Sequence, residues 1–234
     1  QQLLYASSDE PANALIIGAS SVYGRYFDSH KYGLTLEKSQ EVLGNNKHPL
    51  NGFRATWAYP LYGNDDYRNF PKYEEYFKYT NISAGNGYPY DMAVLISYDE
   101  VFLNRLEAYL MKGEKTKFLT DLVLFLKKKT MQEIPDSFVL SEADMNTIYQ
   151  NKGAEFAPVY TLSTQQREWL QAVADIRRAA FLFEGIRWID NKRLGMKVVH
   201  VKAGQTMELT KDDPRRELQI PEDAVSNGIT ANPR

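Results

Sequence analysis

The chain has 234 residues, of which 43% are apolar and 25% charged, which is enough apolar material for one globular domain with a sizeable core. Its formal net charge of −2 gives no simple electrostatic basis for binding nucleic acid or anionic lipid. The absence of cysteine excludes disulfides, thiolate metal sites and a cysteine nucleophile, and no apolar run approaches the ~18 residues needed to span a bilayer.

The N-terminal part gives few secondary-structure signals. Residues 14–18, ALIIG, form a short apolar run that predicts a strand or a buried extended segment. Thr35 is placed to cap a short helix that ends at Leu43, before Gly44 and two asparagines.

Residues 50–90 carry the densest group of aromatic side chains in the chain. Proline and glycine are interleaved with these aromatics, so a long regular helix is not expected there. We therefore expect a long loop, and a loop this rich in aromatics either packs on itself or has a function.

Helical periodicity begins after this region. Residues 98–112 and 116–129 each carry apolar residues at three- and four-residue steps and are separated by Gly113, which predicts two antiparallel helices. A shorter helix over residues 141–150 begins with Ser141 followed by Asp144, a capping pattern.

The longest predicted helix begins near Gln165, with Ser163 and Gln166 as a capping box. Gly185 interrupts the pattern, a second amphipathic piece covers residues 186–194, and Gly195 closes it. Trp169 and Trp188 lie on apolar helical faces, so both are expected in the core. Residues 197–202 and 206–210 then alternate around Ala203-Gly204 and predict a β-hairpin.

Three separated blocks of sequence carry a resemblance to a known family. The run FLFEGIRWIDNKRLGM resembles the signature near the C-terminus of the SusD/RagB family, in which charged and aromatic identities are fixed over more than ten positions. The matching residues are Phe183, Glu184, Gly185, Arg187, Trp188, Asp190, Lys192, Arg193 and Gly195. An earlier helix matches at Glu100, Leu103, Glu107, Ala108 and Gly113, and the C-terminal tail at Leu218, Ile220, Pro221, Asn227, Asn232 and Pro233.

The resemblance implies a mainly α fold: a tetratricopeptide-like α-α superhelix with long irregular loops and a small C-terminal β-hairpin. Residues 1–234 would be a single domain, the C-terminal part of a longer protein, because members of the family are about twice this long. The implied protein is not an enzyme and needs no cofactor. It binds oligosaccharides at the outer surface of the bacterial outer membrane and delivers them to a SusC-like TonB-dependent transporter, and it is attached through a lipid anchor whose cysteine this chain lacks.

The aromatic loop is the predicted ligand site, because the C–H faces of sugar rings stack on aromatic rings and sugar hydroxyls bond to Asn, Asp and Arg. In the resembled family, loop aromatics of this kind build the glycan platform. The predicted ligand-binding residues are Trp57, Tyr59, Tyr62, Asn64, Asp65 and Arg68.

Two other functions stay open from the residues. The helix pair could be the docking surface of a protein-interaction module, with the aromatics in the core. The acidic pairs Asp65-Asp66, Glu74-Glu75 and Asp212-Asp213 could instead serve a glycoside hydrolase, although adjacent acids are more often solvated loop charge. No metal is expected, since the three histidines lie far apart and outside ligand spacings, and the sequence has no glycine-rich phosphate loop.

Overall fold

The computed structural model describes residues 14–21, 34–43, 62–65, 68–69, 73–130, 133–182, 184–202 and 204–233. The α-helices in these residues are α1 (Leu36–Leu43), α2 (Tyr98–Met111), α3 (Lys115–Lys129), α4 (Glu142–Tyr149), α5 (Thr164–Ala180), α6 (Ile186–Arg193) and α7 (Glu222–Ser226). The strands are β1 (Ala14–Ser21), β2 (Tyr62–Gly63), β3 (Arg68–Asn69), β4 (Tyr73–Asn81), β5 (Asn86–Ser97), β6 (Val198–Lys202) and β7 (Gln205–Leu209). The described part of the chain is mainly α, as the sequence predicted.

The core is built around α5, which contacts α1, α2, α4 and α6. Its apolar residues recur at helical spacing, and Trp169, Leu170, Val173 and Ile176 are fully buried. The Trp169 ring stacks on Phe118 of α3 with ring centroids 5.4 Å apart. The long amphipathic helix is therefore the element that the other helices cover.

Side-chain caps fix where the helices begin. Ser141 and Asp144 form a capping box at the start of α4, as Ser163 and Gln166 do at α5. The Gln166 amide also donates to the backbone oxygens of Leu110 and Met111, at 3.3 and 3.2 Å, at the end of α2. Gln166 thus provides hydrogen-bond partners for a free backbone amide at the start of α5 and for free backbone carbonyl oxygens at the end of α2.

Helices α2 and α3 form the predicted antiparallel pair. Gly113 takes a positive φ of 71° in the turn between them, a backbone conformation that favours glycine. At the other end of the pair, Asp99 in the first turn of α2 meets Lys129 at the end of α3, with Nζ and Oδ2 2.8 Å apart and both side chains buried. Each charge also has a favourable sign for its helix end.

The prediction of a long loop over residues 50–90 is wrong for the described residues from 73 onward, most of which form a sheet. Residues 73–81 and 86–97, much of which was assigned to the aromatic loop, form strands β4 and β5 in an antiparallel sheet of order β1-β5-β4. The proline that argued against regular structure, Pro89, lies one residue beyond the last β1–β5 pair, between Ser21 and Tyr90. Among the described strands, only β4 lies beside β5 at that point, and a strand edge tolerates the missing N–H of proline.

The C-terminal β-hairpin is confirmed: β6 and β7 are paired from Val198 with Leu209 at one end to Lys202 with Gln205 at the other.

The prediction that Trp188 lies in the core is wrong: it is 38% exposed. Helix α6 is only eight residues long and directs Asp190 inward instead, while the Trp188 ring lies 5.8 Å from the Arg216 guanidinium. Within the described part of the chain, no helix is both long and apolar enough to cross a membrane.

Candidate functional site

The structure describes only part of the predicted ligand site. Trp57 and Tyr59 lie outside the described residues, so their role stays a prediction. Tyr62 lies in β2, where its backbone pairs with Asn69 of β3. Asn64 follows β2 directly and is exposed, as the prediction requires of a residue that contacts ligand.

Two of the predicted residues are brought into contact with each other. Arg68 donates through its guanidinium to the Asp65 carboxylate, three residues earlier. The Arg68 side chain is only 18% exposed, whereas that of Asp65 is 72% exposed. Of the pair, the carboxylate is therefore the group that a ligand can reach.

The turn that carries these residues is bonded to the segment leading into α1. Leu34 and Arg68 exchange two backbone hydrogen bonds of 2.7 Å, and the Leu36 amide donates to the Asp65 carbonyl oxygen at 2.7 Å. These backbone bonds hold the turn in place independently of its side chains.

Helix α1 is in turn anchored to the central helix. Arg178 of α5 donates to the Glu41 carboxylate at 2.9 Å, and Lys38 donates to it at 2.6 Å. The hydrogen bonds from Lys38 and Arg178 lower the pKa of Glu41 to about 2, so this anchor stays charged at neutral pH. A continuous set of polar contacts thus connects the Asn64–Arg68 turn to the helical core.

A second candidate surface lies near the tip of the β4–β5 hairpin, where aromatic rings face solvent. Phe77 is 45% exposed and Tyr79 is 56% exposed, and their rings meet edge to face with centroids 5.0 Å apart. Gly87, the cross-strand partner of Tyr79, makes this arrangement possible. A Cβ there would lie 2.6 Å from Cε1 of Phe77 and 2.3 Å from the Lys78 carbonyl oxygen, so the Phe77 ring lies directly over the glycine.

The residues around this aromatic pair are polar and mostly uncharged. The Asn81 amide oxygen accepts from the Ala84 amide at 3.0 Å, and the Thr80 hydroxyl donates to the Asn86 carbonyl oxygen at 3.2 Å. Exposed ring faces near the Asn81 amide suit a ligand that is apolar on one face and hydrogen-bonding at its edges, which describes a sugar ring.

Phe77 and Tyr79 belong to the aromatic cluster that the sequence singled out, but they were not among the predicted ligand residues. Composition alone does not separate exposed rings from buried ones, since burial is the more common fate of aromatics. The period-two spacing of Phe77 and Tyr79, with polar residues following, is the sequence signal that could have found them.

Asp190 and Arg193 of α6, which belong to the resembling sequence run, have a structural role. Asp190 is 1% exposed and accepts from Arg177 Nε at 2.9 Å and from Arg193 Nε at 2.8 Å. Arg193 then binds the Glu107 carboxylate of α2 through two nitrogens, one of them at 2.8 Å. Burial lowers the pKa of Arg193, but its hydrogen bonds to Glu107 and Asp190 outweigh burial, so the pKa is raised. We call Arg177, Asp190, Arg193 and Glu107 the buried charge network.

The buried charge network joins two of the resembling sequence blocks, since Glu107 comes from one and Asp190 and Arg193 come from the other. Its carboxylates and guanidinium groups neutralise one another, which suits a scaffold better than a reactive centre.

Of the acid pairs that could serve a hydrolase, Asp66 lies outside the described residues, and Glu74 and Glu75 are described only through their backbone pairing in β4, so their role stays a prediction. Among the described residues, no group of three or more His, Asp or Glu side chains is placed to hold a metal ion. Asp213 is engaged by Arg215 at 2.9 Å, and that hydrogen bond lowers its pKa to about 2, which is the opposite of what a general acid needs. His200 lies on the exposed β6 strand.

Comparison with known proteins adds no family assignment. No protein-family profile matches the chain, and no curated protein matches it. The resemblance to SusD/RagB proteins therefore depends on the residues quoted above, and what it implies is a proposal.

Proposed function

We propose that this chain is a non-enzymatic oligosaccharide-binding protein whose ligand stacks on the exposed aromatic pair Phe77–Tyr79. The observation that carries this proposal is the pair itself: two rings in edge-to-face contact, both about half exposed to solvent, close to the Asn81 amide. The turn at Asn64, Asp65 and Arg68, together with Trp57, Tyr59 and Tyr62, is the second part of the proposed platform.

The wider biological role follows the family resemblance. We infer that the protein works at the outer surface of the outer membrane and passes oligosaccharides to a SusC-like TonB-dependent transporter. The α2–α3 pair is then one unit of a tetratricopeptide-like superhelix. In support, the buried charge network links Glu107 to Asp190 and Arg193, so residues from two separate resembling blocks act together.

The test is a binding measurement by titration calorimetry, after a glycan array has found a ligand. Each aromatic–sugar stack contributes on the order of 1 kcal/mol, so Phe77→Ala with Tyr79→Ala should weaken binding roughly 30-fold. The matched control is Val199→Ala with Met207→Ala, which removes side chains of similar exposure, 47% and 49%, from the other hairpin. The control should bind as the unaltered chain does.

Three outcomes would contradict the proposal. Unchanged affinity in the Phe77/Tyr79 variant would remove the hairpin from the platform, and it would leave the loop as the site if Trp57→Ala still abolished binding. Release of chromophore from chromogenic glycosides would instead identify a hydrolase. Capture of a transporter with equal strength in the presence and absence of glycan would favour a protein-interaction module.

A further inference from the structure

We infer that the tip of the β4–β5 hairpin enters the headgroup layer of a zwitterionic lipid bilayer, with Ile82 at its apex. This inference goes beyond glycan binding and depends on different observations. It concerns a chain that is already held at a membrane, as the proposed location requires.

The apex of the hairpin is apolar, uncharged and exposed to solvent. Ile82 is the first residue of the turn between β4 and β5, and it is 82% exposed. Residues 79–90 contain no Asp, Glu, Lys or Arg. A charged side chain is the costliest group to move from water toward lipid, so the composition of the tip removes the main obstacle to such contact.

Exposed tyrosine rings lie on both faces of the hairpin behind this apex. Tyr79 of β4 pairs in register with Gly87, and Tyr88, the next residue of β5, pairs with Lys78. Because successive residues of a strand face opposite sides, Tyr79 and Tyr88 lie on opposite faces, and they are 56% and 63% exposed. A partner that covers one face of a sheet would meet only one of these rings, whereas lipid surrounds an inserted hairpin and meets both.

The spacing along β4 matches the layers of a bilayer surface. At about 3.3 Å per residue, Tyr79 lies about 7 Å behind Asn81, the last residue of the strand, and Phe77 lies about 13 Å behind it. The headgroup layer of one leaflet is roughly 5–8 Å thick. When the hairpin enters along its strands and Ile82 reaches the acyl boundary, Tyr79 therefore lies among the headgroups, where tyrosine is enriched, and Phe77 stays outside them.

The turn itself satisfies backbone groups that would otherwise need water. The Gly85 amide donates to the Ile82 carbonyl oxygen at 3.2 Å, and the Ala84 amide donates to the Asn81 side-chain oxygen at 3.0 Å. A backbone group without a partner is costly in lipid, so these two bonds make entry of the turn less unfavourable.

The tip is an orienting contact rather than an anchor. One aliphatic side chain and two tyrosines are too little to hold a protein on a membrane, since even a single myristoyl chain gives only marginal binding. In a chain attached by other means, the same contact decides which side of the molecule faces the bilayer.

The experiment uses the absence of cysteine in the chain, because one introduced cysteine can then carry an NBD fluorophore. Ala84→Cys places the label in the turn and leaves Ile82 intact. Gln205→Cys, at the start of β7, places it beside the turn of the other hairpin as a control, and both positions are exposed. Each labelled chain is tethered by a C-terminal histidine tag to phosphatidylcholine vesicles that contain a small fraction of nickel-chelating lipid.

We expect tethering to shift the emission of the Ala84 label to shorter wavelength and to lower its quenching by aqueous iodide about fivefold, because the label enters the headgroup layer. The Gln205 label should be quenched equally with and without vesicles. Ile82→Asp, added to the Ala84-labelled chain, should restore quenching. Val201→Asp, the matched change at a 72% exposed residue of β6, should not.

Equal quenching of the Ala84 label with and without vesicles would overturn the inference and would leave glycan binding in solution untouched. Equal shielding of the Gln205 label, or unchanged shielding in the Ile82→Asp chain, would overturn the assignment to the hairpin tip. A label at Ala84 that is already shielded in the untethered chain would place the tip against protein and would also overturn the inference. Absence of glycan binding in vesicle-free solution would instead contradict the proposed function alone.

Discussion

Asp190 shows at the scale of single residues why the α6 sequence carries so many charges. The carboxylate is buried between the guanidinium groups of Arg177 and Arg193, and Arg177 also donates to Asn104 at 2.9 Å. A buried charge is tolerated when it is paired and hydrogen-bonded, and it becomes costly when its partner is removed. The network therefore fixes how α6 sits against α5 and α2.

Asp190→Asn should lower the free energy of unfolding by about 3 kcal/mol, because Arg177 then stays buried without a counter-charge. The measurement is urea unfolding at neutral pH. Asp212→Asn, at an exposed position, is the control and should change the unfolding free energy by no more than about 0.5 kcal/mol. A loss at Asp190 as small as that of the control would show that the network contributes nothing to stability.

Residue-level predictions from the sequence succeeded where one local pattern decides the outcome. The capping boxes at Ser141 and Ser163 were predicted and confirmed, because a cap is formed by residues three positions apart. The prediction that Trp188 is buried failed because its exposure depends on which face of α6 the rest of the chain covers. Asp190 lies on that covered face. The helical pattern alone carries no information on that choice.

At the scale of elements, the two glycines that flank α6 have different requirements. Gly185 and Gly195 both take positive φ, 79° and 64°. A Cβ at Gly185 would meet open space, whereas one at Gly195 would lie 2.3 Å from the Ala157 carbonyl oxygen. Gly195 is thus needed for backbone conformation and for close approach of the preceding loop, and Gly185 for conformation alone.

Gly185→Ala should therefore cost about 1 kcal/mol of unfolding free energy, the cost of a left-handed residue with a Cβ. Gly195→Ala should cost roughly 3 kcal/mol or more, because a steric clash with backbone adds to that strain. Chemical unfolding of the two variants side by side gives the comparison, and each serves as the other's control. Equal losses at the two positions would contradict the assigned close contact.

The helices were predictable from the sequence and the large sheet was not. Helices α1 to α6 lie close to their predicted bounds, since their apolar spacing and caps are local signals. Strand β5 pairs with β4 and with the distant β1, and no pattern within residues 73–97 indicates that β1 will be its second partner. Glycine and proline were interpreted as loop signals. In the structure, Gly87 leaves room for the Phe77 ring, and Pro89 lies where β5 has no described partner on its β1 side.

At the scale of the whole molecule, a helical body organised around α5 carries a sheet whose hairpin exposes aromatic rings. The body was largely predictable from periodicity. The candidate site lies in a region that the sequence singled out, residues 50–90, because aromatic density is visible in composition. It was not predictable as a set of residues, because exposure is settled by pairing between distant segments.

We propose that the β4–β5 hairpin, rather than the charged helical interior, contacts the ligand. The most direct test is an NMR titration of the isotope-labelled chain with the oligosaccharide that binds most tightly on the glycan array. We expect the largest amide shift changes at residues 77–81 and 86–88, with little change around Asp190 and in the β6–β7 hairpin. Largest changes at the buried charge network or at β6–β7, with the residues of the β4–β5 tip unmoved, would contradict it.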